Sequence, residues 1–331
     1  MGLNTEVLFN KKILISGGLG FIGSNLAIKL VDLGANVTII DSLIPEYGGN
    51  LWNLEPIKNK VKINISDVRD EHSMQHLIQG QDFFFNLAGQ TSHLDSMKNP
   101  FADLEINTKA QLSILEACRK YNPTVKIIFA STRQLYGIPQ YLPVDEAHPL
   151  VPVDVNGINK LSGEMYHILY NKVYSIQSSV LRLTNTYGPR MRIKDARQTF
   201  LGIWVRNLLE GKPITIFGDG SQLRDYNYID DVVNAFLLVA CSDRWDGLIY
   251  NLGNDNPISL KTTAEIMIEQ NNSGNYIFEP FPNDLKKIDI GDFYSDYRKI
   301  KEILGWHPTV TIDKGIKETL GYFRENFRHY V

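Results

Sequence analysis

Gly17, Gly20 and Gly23 stand at a fixed spacing in Gly17-Gly18-Leu19-Gly20-Phe21-Ile22-Gly23, directly after a β-rich run and at the opening of a helical pattern. A chain that turns this tightly at a helix start presents backbone N–H groups to a pyrophosphate, and a Cβ at these positions blocks the approach. A plain strand-to-helix turn also uses glycine, so the wider spacing matters. Asp41 ends the next β-rich run 24 positions after Gly17, near the separation of about 20 at which an acid receives ribose hydroxyls. A carboxylate there repels a 2′-phosphate, which selects NAD over NADP. Asp67, followed by Val68, comes after the third β-rich run and is placed either to reach an adenine edge or to cap the helix that starts near Asp70.

These residues need a scaffold, and the hydrophobic pattern supplies one. Strands are expected at Ile13 to Ser16, Val37 to Asp41, Val61 to Ile65, Phe83 to Ala88, Lys126 to Ser131 and Ile176 to Leu183. Between them helices are expected at Phe21 to Leu33, Glu71 to Ile78, Leu104 to Tyr121 and Val155 to Val173. Strands alternating with helices predict an α/β fold, a Rossmann-type doubly wound parallel sheet. After about Thr184, prolines punctuate shorter elements and aromatic content rises. The expected division is a dinucleotide-binding domain over residues 1–183, to which residues 228–250 return, and a smaller C-terminal α/β substrate domain over 184–331.

Composition narrows the class further. The 331 residues are 43% hydrophobic and 21% charged, values of a folded globular chain. A net charge of −3, from 37 acidic and 34 basic residues, leaves no global field to gather nucleic acid or an anionic membrane, so neither is an expected partner. Cys118 and Cys241 lie in apolar helical runs without metal-ligand spacing, which predicts reduced thiols and no metal site. No run reaches the roughly 18 apolar residues of a membrane span, and the expected location is cytoplasmic. The Met-Gly start fits a lipidation signal only until Glu6, where Ser or Thr is needed.

With these residues in hand, nearly the whole chain resembles the extended short-chain dehydrogenase/reductases that act on nucleotide sugars. The resemblance rests on the glycine turn, Asn86-Leu87-Ala88-Gly89, Thr132-Arg133-Gln134-Leu135-Tyr136-Gly137, Leu181-Arg182-Leu183-Thr184-Asn185-Thr186-Tyr187-Gly188-Pro189 and Phe217-Gly218-Asp219-Gly220-Ser221-Gln222-Leu223-Arg224-Asp225-Tyr226. It implies NAD as cofactor, lined by Leu87 and Ala88 as well as the glycine turn, and a nucleotide diphosphate sugar as substrate. It also implies a homodimer paired through the helices at Leu104 to Tyr121 and Val155 to Val173. By the same resemblance Thr132 hydrogen-bonds the reacting sugar oxygen, Lys160 holds the nicotinamide ribose, Asn185 touches sugar or phosphate, and Arg224 binds the diphosphate.

The sequence departs from the family at the catalytic base. The family's Y-x-x-x-K tyrosine is Asn156 here, in Asn156-Gly157-Ile158-Asn159-Lys160. A carboxamide does not titrate near neutral pH. His93, in a segment that lines the sugar site in relatives, is a candidate replacement because imidazole exchanges protons in that range; Lys160 acting through water is another. Relatives that dehydrate sugars carry Asp-Glu directly after the threonine, where this chain has Arg133 and Gln134. That disfavours dehydration, and leaves Arg133 to hold an anionic group or to stay structural. The expected activity is an NAD-dependent nucleotide-sugar epimerase with an altered proton relay. The alternatives are a nucleotide-sugar dehydrogenase or dehydratase, and an impaired NAD and nucleotide-sugar-binding protein.

Overall fold

The computed structural model describes residues 5–331; the Met-Gly start lies outside the described residues. Seven strands form one parallel sheet: β1 (Lys12–Ser16), β2 (Asn36–Asp41), β3 (Lys62–Ile65), β4 (Phe83–Asn86), β5 (Lys126–Thr132), β6 (Ser178–Leu183) and β7 (Asp246–Asn251). Their spatial order is β7-β6-β5-β4-β1-β2-β3, and every pairing is parallel, with Ile15 opposite both Ile39 and Phe85. A parallel sheet must be covered on both faces, and its central strands are apolar throughout. Ile13 and Ile15 of β1 enter one core with Phe83, Phe85 and Ile128, while Leu14 enters the other with Phe84 and Ile127, the two-residue alternation of a strand.

The first core is closed by α1 (Phe21–Asp32) and the second by α2 (Glu71–Leu77), α3 (Ala110–Tyr121) and the inner face of α4 (Val155–Tyr174). Helix α5 (Ile229–Ala240) packs on α1 and leads into β7 beside β6. Beyond the sheet, short strands pair Asn185–Tyr187 with Tyr226–Tyr228, Ile214–Phe217 with Tyr276–Glu279, and Leu223–Arg224 with Ile258–Ser259. The strand order reverses between β1 and β4, and ligands of open α/β sheets bind in the crevice above such a point.

Two expected elements differ in detail. The strand foreseen from Phe83 to Ala88 ends at Asn86, because the N–H groups of Leu87 and Ala88 turn to donate to Ser16 Oγ at 3.0 and 3.1 Å. The helix foreseen from Leu104 to Tyr121 contains a π turn, Glu105–Lys109, between the short helix Pro100–Leu104 and α3. Such turns widen the helix locally and are frequent at functional sites; this one carries buried Asn107 beside the crevice. No helix among the described residues is long and apolar enough to cross a membrane, and no group of three or more His, Cys, Asp or Glu among them is arranged to hold a metal.

Candidate active site

The crevice at the switch point is lined by Gly17, Gly20, Asp41, Val68, Leu87 and Ala88, with Phe21, Ile22, Gly23 and Asp67 also on its wall. Two of the glycines are required by the fold itself. Gly17 has a φ of +70°, and a Cβ on Gly23 would sit 2.3 Å from the Gly17 carbonyl oxygen. Gly20 meets only that carbonyl, at 3.2 Å, so a Cβ there would fill crevice rather than core. It is the N-cap of α1 and makes no side-chain cap bond, which leaves the helix's first N–H groups available to an anion.

Asp41 faces this cradle from the end of β2. Its Oδ2 accepts from Leu19 N–H and its Oδ1 from Leu43 N–H, both at 3.0 Å. Burial pushes its carboxyl up and these two N–H groups oppose the shift. The two bonds fix the carboxylate and leave lone pairs toward the crevice for ribose hydroxyls. Asp67 lies on the crevice wall with its carboxylate held by Arg69, through Nη2 at 2.7 Å and Nε at 3.0 Å, while the cap of α2 is Asp70. The cradle, the acid and the crevice lining fit a dinucleotide.

At the carboxyl end of β5, Lys160 reaches in from α4. Its Nζ donates to Ala130 O at 3.2 Å and lies 5.0 Å from the centre of the Phe129 ring, and burial pushes its ammonium down to about 8. A Cβ on Gly89 would meet both this Nζ, at 2.8 Å, and Asn107 Oδ1, at 2.9 Å; that Oδ1 is buried with no partner among the described residues. Thr132 closes the strand, and its Oγ1 accepts from Gln134 N–H at 3.2 Å.

One turn before Lys160, Asn156 is 2% exposed and bound into a buried polar cluster. Its Nδ2 donates to Gln90 O at 2.8 Å and to Asp103 Oδ2 at 2.9 Å, while Asn159 donates to the other oxygen of Asp103 at 2.8 Å. Asn156 therefore braces α4 against the loop after β4 and carries no titratable atom. His93 stands at the first turn of the helix His93–Lys98, with Nδ1 2.9 Å from Asp154 Oδ2, within ion-pair distance but outside hydrogen-bond alignment. Asp154 is the N-cap of α4. It accepts from Gly157 N–H at 2.6 Å and from Gln134 Nε2 at 2.9 Å. Burial acts to raise the Asp154 carboxyl, yet His93 and these donors hold it below the usual carboxylate range. Asp154 thus ties His93 to the Thr132–Gln134 turn, a link the sequence reading did not include.

In the other half of the chain, Arg133 donates from Nη2 to Asn185 Oδ1 at 3.1 Å, and its guanidinium lies 5.2 Å from the Phe293 ring centre. Arg224 is buried and does not pair with its neighbour Asp225. It donates to the carbonyls of Leu223 and Gly291 and comes within 3.7 Å of Asp289, whereas Asp225 accepts from Thr184 and from Ser295 N–H. The basic run after Pro189 engages the chain itself: Arg190 donates to Asn25, Arg192 pairs with Asp195, and Arg197 pairs with Asp95 on the His93 helix. From that run Gln198 reaches the crevice wall.

The comparisons with known proteins agree with this geometry. The profile of the GDP-mannose 4,6 dehydratase family matches residues 14–319. A putative UDP-glucose 4-epimerase of Methanocaldococcus jannaschii is 34% identical over 321 residues, 96% of this chain and 99% of that protein. UDP-glucuronic acid decarboxylase 1 of Xenopus tropicalis is 31% identical, over 96% of this chain and 73% of its own. Among solved structures, UDP-glucose 4-epimerase of Thermotoga maritima with UDP-glucose superposes with a TM-score of 0.88 at 32% identity, covering 96% of this chain and 99% of that one. Fold and cradle together define an extended short-chain dehydrogenase/reductase. The chain belongs to the GDP-mannose 4,6-dehydratase family, which is NAD-dependent and works on nucleotide sugars.

Proposed function

We propose that this chain is a nucleotide-sugar epimerase that passes through a transient keto sugar, with UDP sugars as its first candidates, and that His93 and Asp154 take over the work of the family tyrosine. The observation that carries this reading is the surroundings of Thr132: an imidazole–carboxylate pair linked to it through Gln134, and no acid in the two positions that dehydratases use.

The glycine turn and Asp41 would hold NAD, which would supply the hydride acceptor and donor. Thr132 holds the reacting hydroxyl by hydrogen bonding, and Lys160 would hold the nicotinamide ribose. A small rotation of the ring turns Nδ1–H onto Asp154, and the second ring nitrogen of His93 then presents a lone pair that takes the hydroxyl proton and later returns it. The buried carboxylate sets the ring's tautomer and stabilises the cation formed. Gln134, which donates to Asp154, positions that carboxylate rather than moving a proton. A second reading, an NAD and nucleotide-sugar-binding protein without turnover, rests on Asn156, whose amide is committed to Gln90 and Asp103.

Incubation with NAD and UDP-glucose, UDP-N-acetylglucosamine or UDP-glucuronate, followed by proton NMR of the sugar, separates the two. Conversion of one sugar to its epimer is the expected result. Sugars recovered unchanged across the set, with binding intact, would favour the second reading.

A homodimer is proposed as well. Ile158, Met165, Leu169 and Val173 form an exposed apolar stripe along α4, next to exposed Phe101 and Leu104, an area of the kind that partners cover. Light scattering is expected to give about twice the chain mass of 37.6 kDa; a mass equal to one chain would exclude the dimer.

A further inference from the structure

A buried cation ordinarily has a counter-charge, because desolvating it is costly. Arg133 lacks one. Nη2 bonds only the neutral amide of Asn185, Nη1 is buried without a hydrogen-bond partner, and no carboxylate of the described residues pairs with it. Desolvation, with repulsion from Arg224 nearby, pushes the Arg133 guanidinium down to about 10 against the opposing pull of Asp225 and Asp289. Phe293 against the guanidinium and Asn185 at one nitrogen fix the plane of the fork. A fixed planar fork with an unused N–H matches a planar oxyanion supplied by the ligand.

Position selects which oxyanion. Arg133 is covalently next to Thr132, at the carboxyl end of β5 where the sugar hydroxyl reacts in the reading above. Arg224, on a different strand and bonded to Gly291 O, stands where the diphosphate is expected. We infer that Arg133 recognises a carboxylate on the sugar ring, so that the preferred substrate is a nucleoside-diphosphate hexuronic acid rather than a neutral hexose. The inference rests on the nucleotide-sugar reading and narrows it to one substrate class.

Calorimetric titration of the NAD-loaded protein with UDP, UDP-glucose and UDP-glucuronate tests it, in the native chain and in Arg133→Gln and Arg133→Lys. A charged hydrogen-bonded pair corresponds to about 10- to 150-fold in affinity. UDP-glucuronate is expected to bind more tightly than UDP-glucose by a factor in that range. Arg133→Gln is expected to weaken UDP-glucuronate at least tenfold more than UDP-glucose, and Arg133→Lys to fall between. Arg133 has no contact ion pair to lose, so the thermal midpoint of the glutamine variant should drop little; a large drop would assign the residue to packing and overturn the inference. Equal weakening of all three ligands would place Arg133 on the diphosphate, also overturning it. Failure of all three to bind the native chain would instead defeat the nucleotide-sugar reading itself.

Discussion

Glu164→Ala is expected to cost about 3–5 kcal/mol of folding stability, because it strands a buried guanidinium. Arg182 and Glu164 are 2% and 0% exposed. They meet through both Nε and Nη2, Ser131 donates to Glu164 Oε2 at 2.6 Å, and Arg182 Nη1 donates to Tyr136 Oη at 2.6 Å. Tyr136 in turn donates to Asn251 at 2.7 Å. The network therefore clamps α4, β5, β6 and β7 together directly behind Thr132. Removing both charges at once is a different experiment: Glu164→Leu with Arg182→Met leaves no orphan charge and is expected to recover most of the loss. Urea denaturation of the two variants reads the contrast. If the single variant unfolds at the native midpoint, the pair contributes only as an exposed one would.

That network also shows what the sequence made legible and what it did not. The sheet could be read because β1, β4 and β5 are continuous apolar runs separated by helical periodicity, and the cofactor cradle because glycine spacing and Asp41 are local signals along the chain. The back of the site was less legible, since its partners lie far apart: Glu164 finds Arg182, Tyr136 finds Asn251, and His93 finds Asp154 across 61 positions. A trace was present nonetheless. Asn156, Lys160, Glu164 and His167 recur at helical spacing and all face inward on α4, whereas an ordinary surface helix turns its apolar residues inward. Polar groups on a buried face must bond to one another or to the sheet, so this stripe marked a polar wall even though its partners could not be named. Neighbours in sequence also need not pair: on a strand successive side chains point to opposite sides, and Arg224 and Asp225 carry separate networks.

His93→Ala is expected to lower turnover by about 10²- to 10⁴-fold, the range for losing a positioned general base, while leaving substrate affinity much less affected. Geometry argues for this size. The ring's Nδ1 is 2.9 Å from a fully buried carboxylate, and its side chain is 38% exposed, so one nitrogen faces a fixed charge while the rest of the ring stays accessible. Asp154 cannot swing to follow, because Gly157 N–H and Gln134 hold both its oxygens. Two readouts separate a proton acceptor from a structural residue. Free imidazole should restore part of the lost rate in the alanine variant, since the deleted ring was solvent-accessible. Asp154→Asn, which keeps an acceptor for the Gly157 N–H, should lower kcat more than it changes KM, because a neutral amide no longer stabilises the imidazolium. A His93→Ala enzyme that retains half its rate would move the proton to a route through Lys160 and water, and the pair would then be only a brace between the His93 helix and α4.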